Sequence, residues 1–270
     1  MTLSLIDRIG DILRRAAAEA VLPRYRALAS HQVEEKSPGE LVTIADRDAE
    51  AAIARGLDGL VPGARFVGEE ACARDPSLLE RIDEGDVWIV DPLDGTANFA
   101  SGDGPFAMMV ALLRDGEIVA GCIYEPLTER MAAAEYGGGA FLDGHRLHVS
   151  ARQGRVEDRR GIISSFMLPE DMIAPAAAVR STVSQVAPSR RCAGHEYPRV
   201  ATGEIDFALY WRTIVWDHAP GVLFLNEAGG VARRPDGSPY RPAVGGTGML
   251  LAHNPEIADE VQTLLLGRRA

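Results

Sequence analysis

The sequence predicts an α/β protein in two lobes, an α+β lobe over residues 1–150 and an α/β lobe over 151–270. Three observations carry that expectation. At about 150 residues per domain, 270 residues make roughly two domains, or one domain with two lobes. Up to Ser150 two helical patterns are followed by strand runs joined by tight turns. Beyond Ser150 short apolar strands alternate with helix-length segments, the rhythm of an α/β unit. With 46% hydrophobic and 25% charged residues the composition is that of a globular chain, which excludes disorder and fibrous repeats. A chain this long buries about 75% of its unfolded surface and needs no disulfide or metal staple.

Taken in order, Ile6, Ile9, Leu13, Ala17 and Val21 recur every three or four positions, so residues 5–29 read as an amphipathic helix, kinked or ended early by Pro23. The polar stretch His31–Glu40, with Pro38-Gly39, reads as an exposed loop. A second helix is expected from Asp46 to Leu60, with Ala49, Ile53 and Leu57 on one face and Pro62-Gly63 beyond its end. Arg65-Phe66-Val67 and Val87-Trp88-Ile89-Val90 read as strands, the latter stopped at Asp91-Pro92 because proline cannot donate to a ladder. Phe106–Leu113, Asp115-Gly116 and Ile118–Tyr124 form a hairpin signal, since Asp-Gly accepts the positive φ values of a type I′ turn. A further pair spans Met131–Tyr136 and Ala140–Leu142, giving the first lobe a largely antiparallel sheet. In the second lobe, strands are expected at Gly161–Phe166, Ile205–Trp211 and Met249–Ala252, and helices at 170–186, Asp217–Ala228 and from Asn254. The polar run Arg152-Gln153-Gly154-Arg155 connects the lobes, and no internal repeat or low-complexity tract occurs.

Charge and cysteine usage narrow the function. Lys+Arg 28 against Asp+Glu 39 gives a net charge of −11, and such a surface repels nucleic-acid backbones and anionic lipid. The three cysteines, Cys72, Cys122 and Cys192, are too far apart for a metal pair and read as reduced thiols. No run approaches 18 apolar residues, and charges interrupt the N-terminal pattern, so neither a spanning helix nor a signal peptide is expected. The expectation is a soluble cytoplasmic protein without nucleic-acid or membrane partners. The six histidines fall into neither HExxH nor HxxEH, which argues against zinc. His218 reads as a helix-surface residue, and Trp88 and Trp216 as core.

The chemistry concentrates in acids at strand ends. In Trp88-Ile89-Val90-Asp91-Pro92-Leu93-Asp94-Gly95-Thr96-Ala97-Asn98-Phe99 a buried strand delivers Asp91, and a Pro-broken turn brings Asp94 to the same spot. Gly95 permits close backbone approach, and Thr96 and the following amides are able to open a helix. Taken alone, this is also an ordinary strand-turn-helix. Gly68-Glu69-Glu70 and Val215-Trp216-Asp217-His218-Ala219-Pro220-Gly221 repeat the theme; read separately, Glu69-Glu70 is solvated surface and Asp217 a helix cap. Three such sites, each flanked by apolar residues and Gly or Pro, point together to a ligand cluster.

These motifs, with Leu41-Val42-Thr43-Ile44-Ala45-Asp46 upstream and Leu225-Asn226-Glu227-Ala228-Gly229-Gly230 downstream, resemble in order those of the inositol monophosphatase family of magnesium-dependent, lithium-sensitive phosphatases. The resemblance implies a layered αβαβα sandwich of the inositol monophosphatase and fructose-1,6-bisphosphatase type, usually dimeric. It implies that Glu69, Asp91 and the Leu93 carbonyl hold a first metal and that Asp91, Asp94 and Asp217 hold a second. Asp46 and Glu69 would support a third ion, Thr96 would orient the attacking water, the Gly95 and Thr96 amides would take the phosphate, and Lys36 would lie in a mobile flap.

Charge balance agrees with that implication. Glu69, Asp91, Asp94 and Asp217 bring four negative charges into one cleft, and a phosphate ester adds about two more. Hard oxygen donors call for Mg²⁺, and no Lys/Arg cluster stands beside these motifs to neutralise them instead. Haloacid-dehalogenase-type phosphatases are excluded by spacing: their two acids lie two residues apart, whereas here 94 − 91 = 3.

Substrate contacts depart from the family. Inositol-hydrolysing members carry an acid seven positions before the Trp-Asp aspartate; here 217 − 7 = 210 is Tyr210. Cys192-Ala193-Gly194-His195-Glu196-Tyr197 replaces a run of small residues, and Glu196 either supplies the lost carboxylate or faces solvent. The expected substrate contacts are therefore Gly95, Thr96, Ala193, Glu196, Tyr210 and Asp217, with Thr96, Glu69 and Asp46 catalytic. The reading is a Mg²⁺-dependent phosphomonoesterase, with two or three ions, acting on inositol-1-phosphate or a related sugar or polyol phosphate as a homodimer. Histidinol phosphate and 3′-phosphoadenosine 5′-phosphate are the alternative substrates, and a metal-binding regulatory protein is the alternative of another class.

Overall fold

The computed structural model describes residues 4–37, 39–244, 246 and 248–267. A seven-stranded sheet is ordered β3(Arg65–Gly68)-β4(Asp86–Asp94)-β5(Ala107–Arg114)-β6(Glu117–Glu125)-β7(Arg130–Glu135)-β8(Gly139–Leu142)-β9(His145–Leu147), antiparallel apart from the β3–β4 pair. A five-stranded mixed sheet is ordered β11(Gln185–Ala187)-β10(Arg160–Ile163)-β12(Phe207–Tyr210)-β14(Met249–Ala252)-β13(Val231–Arg233). A separate hairpin pairs β1(Val33–Ser37) with β2(Glu40–Thr43).

Side-chain alternation stacks these sheets. Along β5 Ala107, Met109, Ala111 and Leu113 enter one apolar cluster, while Met108, Val110 and Leu112 enter another. A strand buried on both faces must be covered on both. Helices α1(Leu5–Ala16) and α2(Ile44–Leu57) cover one face with Ile9, Leu13, Ala49 and Ile53. On the other face α6(Ala193–Ala201) and α7(Val215–Glu227) contribute Tyr197, Val200, Ala219 and Phe224, against which Ile162, Ala208 and Leu251 of the five-stranded sheet also pack. That sheet's outer face, with Phe207 and Leu250, meets α5(Glu170–Thr182) and α8(Pro255–Leu265). The order α–β–α–β–α is the layered sandwich expected from the resemblance.

The hairpin at Asp115-Gly116 forms with both residues at positive φ, 48° and 81°, as the I′ signal requires. Several expectations need correction. The stretch His31–Glu40 is not loop throughout: β1 runs to Ser37 and pairs with β2, whereas Pro38 lies outside the described residues. Strand β4 does not stop at Asp91-Pro92; the pairing slips between Asp91↔Met109 and Asp94↔Ala107, so Pro92 and Leu93 occupy an irregularity and the strand resumes at Asp94. The first helix closes through a π turn at Ala17–Val21 and a 3₁₀ turn containing Pro23, well before residue 29. The helix expected over 170–186 ends at Thr182, and β11 follows. Helix α6 was not foreseen, because Gly194 and Pro198 lie inside it and break the pattern.

Candidate active site

Two local features bring the acids together. Strands β3 and β4 are parallel with Gly68 opposite Val90, so the next residues, Glu69 at the start of α3(Glu69–Arg74) and Asp91 still within β4, come side by side at one end of the sheet. The irregularity at Pro92 then re-aims the chain so that Asp94 follows on the same end of β4. Gly95 turns the backbone at φ 89°, where an added Cβ would stand 2.9 Å from the Pro105 carbonyl, and opens α4(Thr96–Ser101). Asp217 arrives from the third position of α7, whose N-cap is Ile214, so it is not the cap residue.

Glu69, Asp91, Leu93, Asp94, Gly95, Thr96, Ala193, Tyr210 and Asp217 all line one cleft. Its volume of about 160 Å³ holds on the order of ten water-sized groups, room for a small ester. Burial raises the pKa of each of the four acids, and for Asp91 and Asp217 the charges of their neighbours raise it further. Asp94 is pushed up to about 7 by burial, against the opposing Gly194 N–H that it accepts at 2.6 Å. Asp91 accepts the Leu93 N–H at 2.9 Å.

Asp46 stands behind this wall. It closes the capping box of α2, accepting the Thr43 N–H at 2.7 Å and the Thr43 hydroxyl at 2.6 Å, and burial pushes it up to about 7. The Thr96 hydroxyl lies 2.9 Å from both the Asp46 carboxylate and the Leu93 carbonyl, so its one proton is shared between two acceptors. Lys36 on β1 donates to Glu69 at 2.9 Å and Glu70 at 2.5 Å. Burial alone would lower its pKa, but the two carboxylates outweigh that and hold the ammonium well above its usual value.

Three sequence readings change here. Glu196 neither lines the cleft nor meets solvent: it is 0% exposed and accepts the Tyr210 hydroxyl, the Arg190 N–H and the Ser189 hydroxyl. His218 is not a surface residue; its ring nitrogens meet the Tyr197 hydroxyl at 3.0 Å and the Arg212 carbonyl at 3.1 Å, and burial lowers it to about 4. The absence of basic residues near the motifs holds only along the chain, since Arg191 and Arg212 line the same cleft with Phe166. No spacing rule reaches Phe166. Trp88 and Trp216 are core, and all three cysteines are free and buried.

The pattern of the inositol monophosphatase family matches residues 6–266. The chain belongs to that family. It is accordingly a phosphoric monoester hydrolase. It is 37% identical over 219 residues to the inositol-1-monophosphatase of Mesorhizobium japonicum, covering 76% of each chain. It is 33% identical over 253 residues to that of Caulobacter vibrioides, covering 92% of this chain and 95% of the relative. A crystal structure of extragenic suppressor protein suhB from Bartonella henselae superposes with a TM-score of 0.82 at 30% identity, covering 97% of this chain and 98% of the other.

The inositol monophosphatase family is metal-dependent as a rule and acts on small phosphate monoesters. The donor set fits a hard cation: carboxylate and carbonyl oxygens, with Lys36 already supplying positive charge to Glu69. Among the described residues no three His, Cys, Asp or Glu side chains are drawn into a closed ligand set. Glu69, Asp91 and Asp94 each accept a protein donor instead. No helix among the described residues is long and apolar enough to cross a membrane.

Proposed function

We propose that the protein is a Mg²⁺-dependent phosphomonoesterase of a small phosphorylated metabolite, in the sugar and polyol phosphate class that the names of its relatives indicate, inositol-1-phosphate among them. What supports the reading is the convergence of Glu69, Asp91, Asp94 and Asp217 on one small cleft within a chain of this family. Glu69, Asp91, the Leu93 carbonyl, Asp94 and Asp217 would hold two ions, and Asp46 with Glu69 a weaker third. Bound divalent ions would acidify a water and offset the charge growing on the leaving oxygen. The chain's own part is positioning. Thr96, fixed between Asp46 and the Leu93 carbonyl, would orient the attacking water, and the Gly95 and Thr96 amides would take the phosphate. The proposal includes lithium sensitivity, a homodimer, a cytoplasmic location, and a division into lobes near residue 150.

Phosphate release from a panel of monoesters tests it: turnover with Mg²⁺, abolished by EDTA and reduced by Li⁺. A second reading, a metal-binding regulatory protein, draws on the name of the Bartonella henselae relative. A folded protein that turns over no monoester would favour it.

A further inference from the structure

We propose that Arg191 and Arg212, gathered around Phe166 in the cleft, bind a second anionic group on the substrate. The preferred ester then carries a phosphate or carboxylate besides the phosphate it loses. The proposal rests on the phosphomonoesterase reading and names the substrate class of that site.

Four observations carry it. Both guanidinium carbons lie near the same ring, Arg191 at 5.9 Å and Arg212 at 5.3 Å from the Phe166 centroid, and that ring is 44% exposed. Both charges thereby line the same cleft, and an anion within reach of both offsets their mutual repulsion. Second, among the described residues each guanidinium has a single protein acceptor, which leaves further donors for a ligand. Arg191 donates to the Gly39 carbonyl at 3.3 Å, and Arg212 pairs with Glu40, whose side chain is 36% exposed. Third, Arg191 holds φ 56°, a left-handed conformation uncommon for a non-glycine residue and found where the surrounding structure imposes it. Fourth, the wall lacks the carboxylate that inositol-hydrolysing members carry seven positions before Asp217, and Glu40 beside it is paired with Arg212. Tyr210 stands where one would be expected, and its own hydroxyl is turned to the buried Glu196.

Local contact, not net charge, gives these features a direction. A neutral polyol makes no charge-assisted contact with the two guanidiniums, whereas a second phosphate or a carboxylate matches their planar fork. The same two arginines could instead grip the scissile phosphate, and the experiment separates the cases.

Steady-state kinetics with fructose 1,6-bisphosphate and 3-phosphoglycerate are to be compared with inositol 1-phosphate and glycerol 2-phosphate. The first pair distinguishes a second phosphate from a carboxylate. At least one two-anion ester should exceed both polyol monophosphates about tenfold in kcat/KM, through KM. Arg191→Gln and Arg212→Gln should each erode that preference by about ten- to a hundredfold, again in KM. Glu40→Gln removes the carboxylate that competes for Arg212, so it should sharpen the preference, a gain that a merely structural ion pair would not give. Ligand-induced shifts in melting temperature provide a readout without turnover: two-anion esters should raise it more than monophosphates, and the arginine variants should remove the difference. Equal use of both ester classes overturns the proposal, as does a loss in the variants that is the same for both. Turnover of no ester at all would fail the phosphomonoesterase reading instead, and the melting shifts would still decide the anion site.

Discussion

At the scale of single residues, the site is a problem of charge held in place. Asp94 is half-buried, repelled by its neighbours and anchored by the Gly194 N–H. Asp94→Asn removes that charge while keeping the shape, so turnover should fall by at least about a thousandfold. Circular dichroism of the metal-free variant should be native, with a melting temperature equal to or above that of the parent. Near-normal activity would remove Asp94 from the ligand set. Thr96→Ala should act differently. Its hydroxyl orients a reactant, so kcat should drop by roughly 10²–10⁴-fold with KM little changed. A change confined to KM would contradict the positioning role. Several of these residues were legible in the sequence because an acid after an apolar strand, beside Gly or Pro, is a local pattern. Glu196 and His218 were not. Whether a polar side chain points to solvent, cleft or core depends on what packs over it, here Tyr210 and Tyr197.

Elements position these groups through close backbone approach. Helix α7 crosses the seven-stranded sheet with Gly221 against the Tyr197 ring, where an added Cβ would stand 2.3 Å from it. Gly221→Ala must push α7 away from α6, at a cost of about 1–3 kcal/mol in stability, and Asp217 moves with the helix. Chemical denaturation should show that loss, and activity should fall in the variant that still folds. A silent substitution would mean that the two helices do not pack as closely as described. The long amphipathic and alternating elements were readable because their period is local. Helix α6, with Gly194 and Pro198 inside it, and the short edge strands β11 and β13 were hidden, because their formation depends on neighbours. The continuation of β4 past Pro92 was hidden for the same reason: β5 re-pairs at Ala107 after the irregularity.

For the whole molecule, crowding four partly desolvated acids into one cleft makes stability depend on pH and on metal. Asp46 and Asp94 sit near 7 in the folded protein, against about 4 when unfolded. Between those values the folded state binds more protons than the unfolded one, so stability falls as pH rises through that window. In EDTA the melting temperature should therefore decline from about pH 4 to about pH 7 through these groups and level off above. Millimolar Mg²⁺ should raise it above that baseline, by roughly 5–10 °C at a hundred times Kd. Thermal scans across pH with and without Mg²⁺ check both, and a Mg²⁺-independent curve would contradict metal binding in the cleft.

The sequence by itself determined the α/β class, the main strands and long helices, the family, and the acids that converge on the cleft. Each of these is written in short-range periodicity or in motifs a few residues long. Only the tertiary structure decided that Arg191, Arg212 and Phe166 share the cleft with those acids, that Glu196 is locked behind Tyr210, and that His218 is buried. Such juxtapositions join residues tens of positions apart, brought together by the packing of two sheets around α6 and α7, and no local pattern of the chain encodes that distance.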